Sequence, residues 1–219
     1  MKNVVLLGVG GGIGSALRQQ LSDAGAQVNG LSRADGLDFG QPETVDSILS
    51  DLAPGYDAIL VATGALHVTS ERPEKSLSEL TAEELSAQFA VNTIGPAMVL
   101  RHAPRLLKRD EPSVFASLSA KVGSIGDNRL GGWYSYRAAK AALNQIIRTG
   151  AIELARSHRQ SICVALHPGT VATRFTRNYP AHKKVTPEES AGNLLRVLEG
   201  LGPQDTGQFY NWDGARLPW

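Results

Sequence analysis

Residues 3–14 read NVVLLGVGGGIG, an apolar run that breaks into five glycines within seven residues. The run is short and rich in β-branched residues, which predicts a buried strand. Beyond the glycines, Ile13, Leu17 and Leu21 recur at four-residue intervals up to Gly25, the pattern of one buried helix face with a glycine stop. A strand that passes straight into a helix through glycines is the start of a strand–helix–strand unit. Glycine is required there where the backbone takes positive φ or lies against a ligand. The helix that follows offers unpaired N–H groups and a positive dipole end to a pyrophosphate. The common spacing G-x-G-x-x-G fails in every register, because Ile13, Ser15 or Leu17 takes the third position, whereas G-x-x-x-G-x-G fits at Gly8, Gly12 and Gly14. A tight turn with no ligand is the plain alternative. The placement between a strand and a helix favours a dinucleotide site built from Gly8, Gly10, Gly11, Gly12, Ile13 and Gly14.

The same alternation continues along the chain. Strands are expected at 26–31 (AQVNGL), 37–39 (LDF), 56–63 (YDAILVAT), 113–119 (SVFASLS), 161–168 (SICVALHP) and 208–212 (QFYNW). Helices are expected from Thr81, with Glu84 completing a capping box, to about Leu107, with Pro96 and Pro104 as kinks or stops; from Tyr134 to Arg156; and from Thr186, with proline in the first turn, to Leu201. Strand and helix in alternation predict a doubly wound α/β domain over residues 1–219, with a mostly parallel seven-stranded sheet and helices on both faces. Composition bounds the function. A length of 219 residues and a formal charge of +1 give one sizeable core and no reason to expect nucleic acid. Cys163 is the sole cysteine, so no intramolecular disulfide framework exists, and its apolar setting predicts an inert thiol. No segment has the length of a membrane span, and the apolar start lacks a cleavage pattern, so a cytoplasmic protein is expected.

The stretch YSYRAAK sets two tyrosines before one lysine. Tyr136 and Lys140, four apart, share a helix face, whereas Tyr134 and Lys140, six apart, diverge. Alone, such a pair is usually solvated surface. Here it follows a dinucleotide loop in the same chain. The five histidines, His67, His102, His158, His167 and His182, show no metal-ligand spacing, and no metal site is expected. The basic residues Arg101, Arg105, Lys108 and Arg109 close a helix, where cations complement the dipole.

Taken in order, these segments resemble the short-chain dehydrogenases/reductases, whose glycine loop has the G-x-x-x-G-x-G form. The resemblance spans nearly the whole chain: Tyr136-x-x-x-Lys140 matches the family's tyrosine–lysine pair, Ser119 its serine, Asn92 in FAVNTIGP its helix asparagine, PGTVAT its Pro-Gly loop, and Asp38 its adenine-side aspartate. PEKSL, GSIGDNRLGGWYSYRAAKAALN and the tail LPW are similar to the C-factor (C-signal)-like subgroup. The resemblance implies a Rossmann fold and hydride transfer between a nicotinamide and a carbonyl or alcohol. Asn92, Ser119, Tyr136 and Lys140 would be the catalytic group. Tyr136 would be the acid/base, Ser119 a donor to the substrate oxygen, Lys140 a partner of the nicotinamide ribose, and Asn92 the holder of a water that relays protons toward Lys140. Ala62, Gly64, Pro168, Thr170, Val171 and Thr173 would contact the cofactor, as would Tyr136 and Lys140 themselves. Two departures stand out. VATG at residues 61–64 replaces the usual Asn-Asn-Ala-Gly, and Ser119 lies farther from Tyr136 than the common spacing, the surplus being DNRLGGW. That glycine-rich stretch is expected to loop outward.

Such a tyrosine must exchange protons at neutral pH although a free phenol has a pKa of about 10, and a nearby ammonium favours the phenolate. At the end of the second strand, GLSRAD places Ser32 and Arg33 where an acid would hold a ribose 2′-hydroxyl, so NADP(H) is favoured over NAD(H), with Asp35 close by as a counter-signal. The segment between Thr173 and Thr186 is a short lid. Phe175, Tyr179 and Trp133 are candidates to line an open, apolar entrance to a small-molecule site. The family resemblance implies a homodimer or homotetramer. Two alternatives stay open: a dinucleotide-binding signalling or regulatory protein of the C-factor type in which turnover is secondary, and a sugar-nucleotide epimerase or dehydratase, which would call for an added substrate domain.

Overall fold

A computed structural model describes residues 1–178 and 183–219. Its strands are β1 (Asn3–Leu7), β2 (Gln27–Leu31), β3 (Ala58–Val61), β4 (Ser113–Leu118), β5 (Ser161–His167) and β6 (Phe209–Asn211), and its helices are α1 (Gly12–Asp23), α2 (Glu43–Ser50), α3 (Ala82–Phe89), α4 (Gly95–Leu106), α5 (Tyr134–Ser157) and α6 (Pro187–Gly200). The strands form one parallel sheet in the order β2-β1-β3-β4-β5-β6. The chain leaves β1 toward one edge and returns to build outward on the other side, so the order reverses between β1 and β3. Loops after these strands diverge and leave a crevice at their carboxyl ends.

Successive strand residues point to opposite faces, and the core divides accordingly. Val5, Leu7, Ile59, Val61, Phe115, Cys163 and Phe209 face α2, α4 and α5, while Val4, Leu6, Leu60, Val114, Val164 and Tyr210 face α1 and α6. Burial on both faces explains why the strands read as unbroken apolar runs. Cys163 lies in this core, and burial pushes its thiol up to about 12, an inert group.

Among the described residues the sheet has six strands, not seven. The segment 37–39 does alternate in burial, with Leu37 and Phe39 inside and Asp38 half-buried. Its backbone, however, is engaged locally. Leu37 N–H donates to the Ser32 carbonyl, Asp38 N–H to Thr44 Oγ1, and Thr44 Oγ1 back to the Asp38 carbonyl. With both polar groups of Asp38 spent on the first turn of α2, no ladder can form. Helix α2 lies outside the expected elements, although Val45, Ile48 and Leu49 carry helical spacing.

The helical stretch from Thr81 is interrupted between α3 and α4 by a π-helical segment, Ala90–Ile94. Pro96 follows at the start of α4 and has no N–H to offer, which suits a locally widened turn. Pro104 sits near the end of α4 and is tolerated there. The capping box at Thr81 is half formed. Thr81 Oγ1 accepts from Glu84 N–H at 3.1 Å, but the Glu84 carboxylate turns away to the 68–70 loop.

At the far end of the chain, Trp219 stacks on Phe209 with ring centroids 5.7 Å apart. Its carbonyl accepts from Gly126 N–H at 3.0 Å and from Ser124 Oγ at 3.3 Å. The tail is thereby tied to the loop that leads into α5.

Candidate active site

The β1–α1 turn is shaped by close approach. Gly8 has φ +100°, and a Cβ there would sit 2.8 Å from the Ala62 carbonyl oxygen. A Cβ on Gly12 would sit 2.8 Å from Thr173 Cγ2. The turn is therefore held between the segment after β3 and the segment after β5. Gly10 and Gly11 are exposed. No side chain caps α1, so its first N–H groups lack an internal partner and face the crevice. Beside them, Thr63 Oγ1 is buried without a hydrogen-bond partner among the described residues. This geometry fits an anionic dinucleotide: open backbone donors at a helix start, with no bulk between them and the crevice.

Further along the crevice, Ser32 begins a short 3₁₀ turn at Arg33–Asp35. Asp35 is folded back, accepting from Ser32 N–H and Ser32 Oγ, both at 2.9 Å. Arg33 is exposed. The carboxylate is thus turned onto its own loop while the guanidinium projects from it. Asp38 Oδ1 accepts from Gly40 N–H at 2.9 Å. On the other side, the Pro168–Thr173 loop is fixed by Ser190 Oγ donating to the Pro168 carbonyl at 2.9 Å and by a parallel bridge between Val171 and Val185, with the Thr170 carbonyl accepting from Val185 N–H. Gly169, at φ +80°, packs against the Trp212 indole.

The structure brings Asn92, Ser119, Tyr136 and Lys140 together in the interior end of this crevice. Ser119 follows β4, Tyr136 and Lys140 lie on successive turns of α5, and Asn92 lies on the π-helical segment. All four are buried. Lys140 Nζ is 6.0 Å from the centre of the Tyr136 ring and donates to the Leu118 carbonyl at 2.9 Å. Burial pulls its ammonium down to about 7 and pushes the Tyr136 phenol above its ordinary value. Without a ligand, both groups disfavour charge. A Cβ on Gly64 would lie 3.0 Å from Asn92 Oδ1 and 3.5 Å from Lys140 Nζ, so these two polar atoms border the same space.

Ser119 Oγ donates to Asn144 Oδ1 at 2.6 Å, and Asn144 Nδ2 is buried without a partner among the described residues. Asn144 sits one turn beyond Lys140 on α5, so the face that carries Tyr136 and Lys140 also fixes the serine. Continuing that four-residue spacing would have found it. Tyr134 opens α5 and does not join this group. Trp133 and Phe175 flank Tyr136 edge-on, with centroids 6.4 Å and 5.8 Å away. Tyr179 and His182 lie outside the described residues. The surplus stretch 127–133 runs along the surface, through Gly131, Gly132 and Trp133 in left-handed conformation. It ends directly at the start of α5.

Two further side chains were not among the expected site residues. Gln88 Oε1 accepts from Asn92 Nδ2 at 2.6 Å, and Gln88 Nε2 donates to Glu84 Oε1 at 3.0 Å. Their spacing from Asn92, four and eight residues back on α3, is legible in the sequence as one helix face.

Comparison with known proteins now bears on this geometry. A family model described as enoyl-(acyl carrier protein) reductase, of the short-chain alcohol dehydrogenase type, matches residues 36–209. The chain belongs to the short-chain dehydrogenase/reductase family. As a family member it is an oxidoreductase. Among its relatives, 1-hydroxy-2-glutathionyl-2-methyl-3-butene dehydrogenase of Rhodococcus sp. (strain AD45) is 29% identical over the whole of both chains. The C-signal protein of Myxococcus xanthus is 31% identical over 66% of this chain and 84% of its own. The fold matches an NADPH-bound carbonyl reductase from chicken fatty liver with a TM-score of 0.83 and 24% identity, over 100% of this chain and 99% of the other. The carbonyl reductase Sniffer of D. melanogaster matches with a TM-score of 0.80 and 22% identity over all of both chains. Among the described residues, no helix is long and apolar enough to cross a membrane.

Proposed function

We propose that this chain is an NADP(H)-dependent reductase of small carbonyl compounds, or the corresponding alcohol dehydrogenase. The observation that carries this reading is the buried group Ser119, Tyr136 and Lys140 at the inner end of a crevice whose rim is an uncapped helix start. A bound nicotinamide dinucleotide supplies or accepts the hydride at the substrate carbon. In the reducing direction, Ser119 orients the substrate oxygen, and Tyr136 Oη gives it the proton that completes the alcohol. The phenol is then reprotonated from the Lys140 side. In the oxidising direction the same proton returns to Tyr136. Lys140 lowers the cost of phenolate while its own charge is held, and the positive oxidised nicotinamide acts the same way.

The Gly8, Gly10, Gly11, Gly12, Ile13 and Gly14 turn would hold the pyrophosphate. Ala62, Gly64, Pro168, Thr170, Val171 and Thr173 would line the nicotinamide half, with Asp38 near adenine. Arg33, with Asp35 turned back onto Ser32, supports a 2′-phosphate and hence NADP(H). The solved neighbour from chicken carries NADPH, in keeping with that choice. The matching family model is described by enoyl reduction, but the four-residue Tyr136–Lys140 spacing favours carbonyl chemistry, Tyr134 having no place beside Lys140. A cytoplasmic homodimer or homotetramer completes the reading.

The test is a titration with NADPH and NADH by cofactor fluorescence, then NADPH oxidation on aldehydes, ketones and quinones. NADP⁺ reduction on alcohols, including a glutathione-linked primary alcohol, covers the reverse direction. Tighter NADPH binding, with turnover lost in Tyr136→Phe by a factor of about 100 or more, is the expected result. Binding of neither cofactor would defeat it.

A further inference from the structure

Glu84, Gln88 and Asn92 form a buried line of hydrogen bonds along one face of α3 and the π-helical segment. Glu84 is 3% exposed and the two amides not at all. Among the described residues the Glu84 carboxylate forms no ion pair. It accepts from Val68 N–H at 2.9 Å, Thr69 N–H at 2.7 Å, Thr69 Oγ1 at 2.8 Å, Ser70 N–H at 2.9 Å and Gln88 Nε2 at 3.0 Å. These donors outweigh the cost of burial and hold its carboxyl down at about 2.

An ionised carboxylate only accepts, whereas a carboxamide accepts at one atom and donates at the other. Glu84 therefore sets the sense of Gln88, and Gln88 together with the Ala65 backbone sets that of Asn92. Gln88 must turn its NH₂ toward Glu84, which leaves its oxygen facing Asn92. Asn92 must then turn its NH₂ toward Gln88 and the Ala65 carbonyl, at 2.6 Å and 2.8 Å. Its oxygen is left to accept from Ala65 N–H at 3.2 Å, on the side bordered by Lys140 Nζ.

We propose that Glu84, acting through Gln88 and together with the Ala65 backbone, is a positioning residue that keeps the oxygen of the Asn92 carboxamide toward Lys140. This rests on the functional reading above, in which Tyr136 is reprotonated from the Lys140 side, the side on which Asn92 Oδ1 lies. The substitution Glu84→Gln keeps shape and volume while replacing one acceptor by a donor. The retained oxygen serves the three donors at Thr69 and Ser70, so the new NH₂ takes the Oε1 place against Gln88 Nε2 and Val68 N–H, and the sense of the line is no longer set from its Glu84 end. The Asn92 carboxamide is then held by Ala65 alone, and its oxygen is less firmly kept toward Lys140.

The experiment is a double-mutant cycle on the full chain with Glu84→Gln, Gln88→Met and the pair. Two readouts are used: kcat and KM in NADPH oxidation, and the side-chain NH₂ resonances of Asn92, identified by their loss in Asn92→Asp. Glu84→Gln is expected to lower kcat by about tenfold, with KM and NADPH affinity within about twofold, and to shift the Asn92 resonances. In the Gln88→Met background the same change is expected to do neither, because the link is cut. Equal loss in both backgrounds would show that Glu84 acts through fold stability and would overturn the proposal, as would unshifted resonances in the wild-type background. Shifted resonances in a protein with no turnover on any carbonyl would leave the positioning intact and defeat the reductase reading instead.

Discussion

Burial pulls Lys140 down to about 7, since its hydrogen bond goes to the neutral Leu118 carbonyl and, among the described residues, no carboxylate compensates it. The sign for stability follows from linkage. Between about pH 7 and the ordinary lysine value of 10.5, the unfolded chain holds a proton that the folded chain has released, so stability rises with pH across that window. Below it both states are protonated and the penalty is constant. Urea unfolding of the cofactor-free protein at several pH values is expected to show this rise in the wild type and its loss in Lys140→Met; equal slopes would contradict it. At this scale the sequence is most legible where chemistry leaves little choice. A phenol and an amine four apart could be recognised directly, and the structure brings both beside Ser119. Glu84 was harder to read. Three residues after Thr81 it looks like half of a capping box, and its actual partners come from a loop more than a dozen residues earlier, which periodicity cannot reveal.

Helix α5 carries Tyr136 two residues after its start, so whatever fixes that start also fixes the phenol. The entrance is unusual: Gly131, Gly132 and Trp133 are left-handed in succession, at φ +64°, +65° and +54°. For tryptophan this conformation costs on the order of 1–2 kcal/mol. The compensation comes from Glu74, a buried residue whose carbonyl accepts from Trp133 N–H at 2.5 Å and whose carboxylate accepts from Ser135 N–H and the Ser135 hydroxyl. Glu74→Ala would leave Ser135 buried and unpaired. A loss of about 2 kcal/mol in urea unfolding is expected, with a fall in kcat as the first turn loosens; unchanged stability would mean the carboxylate is dispensable there. The helices were legible apart from α2, which was not expected, and the 37–39 run shows the limit for short strands. Its burial alternates as in a strand, yet one threonine hydroxyl from α2 takes up the backbone groups that a ladder would need. Three residues do not contain enough pattern to distinguish the two outcomes.

For the molecule as a whole, the alternation of strand and helix was enough to read the parallel, doubly wound sheet and the place of its crevice, because each βα unit must bury two faces. The number of strands was not, since it depended on that one hydroxyl. A dinucleotide lying across the β1, β3 and β5 loops would tie three separate parts of the chain together. NADPH at 100 times its Kd is accordingly expected to stabilise the folded state by about 2.7 kcal/mol, and NADH at the same concentration by less. Thermal unfolding against cofactor concentration measures both, and equal shifts would remove the preference assigned to Arg33. The docking of Trp219 against Phe209 and the 124–126 loop has a consequence in time. On a ribosome adding about 5–20 residues per second, the loop before Tyr136 emerges roughly five to twenty seconds ahead of the tryptophan that closes over it. During that interval the 124–126 loop lacks the carbonyl that its Gly126 N–H and Ser124 hydroxyl donate to, so this loop is expected to settle only after Trp219 has been made.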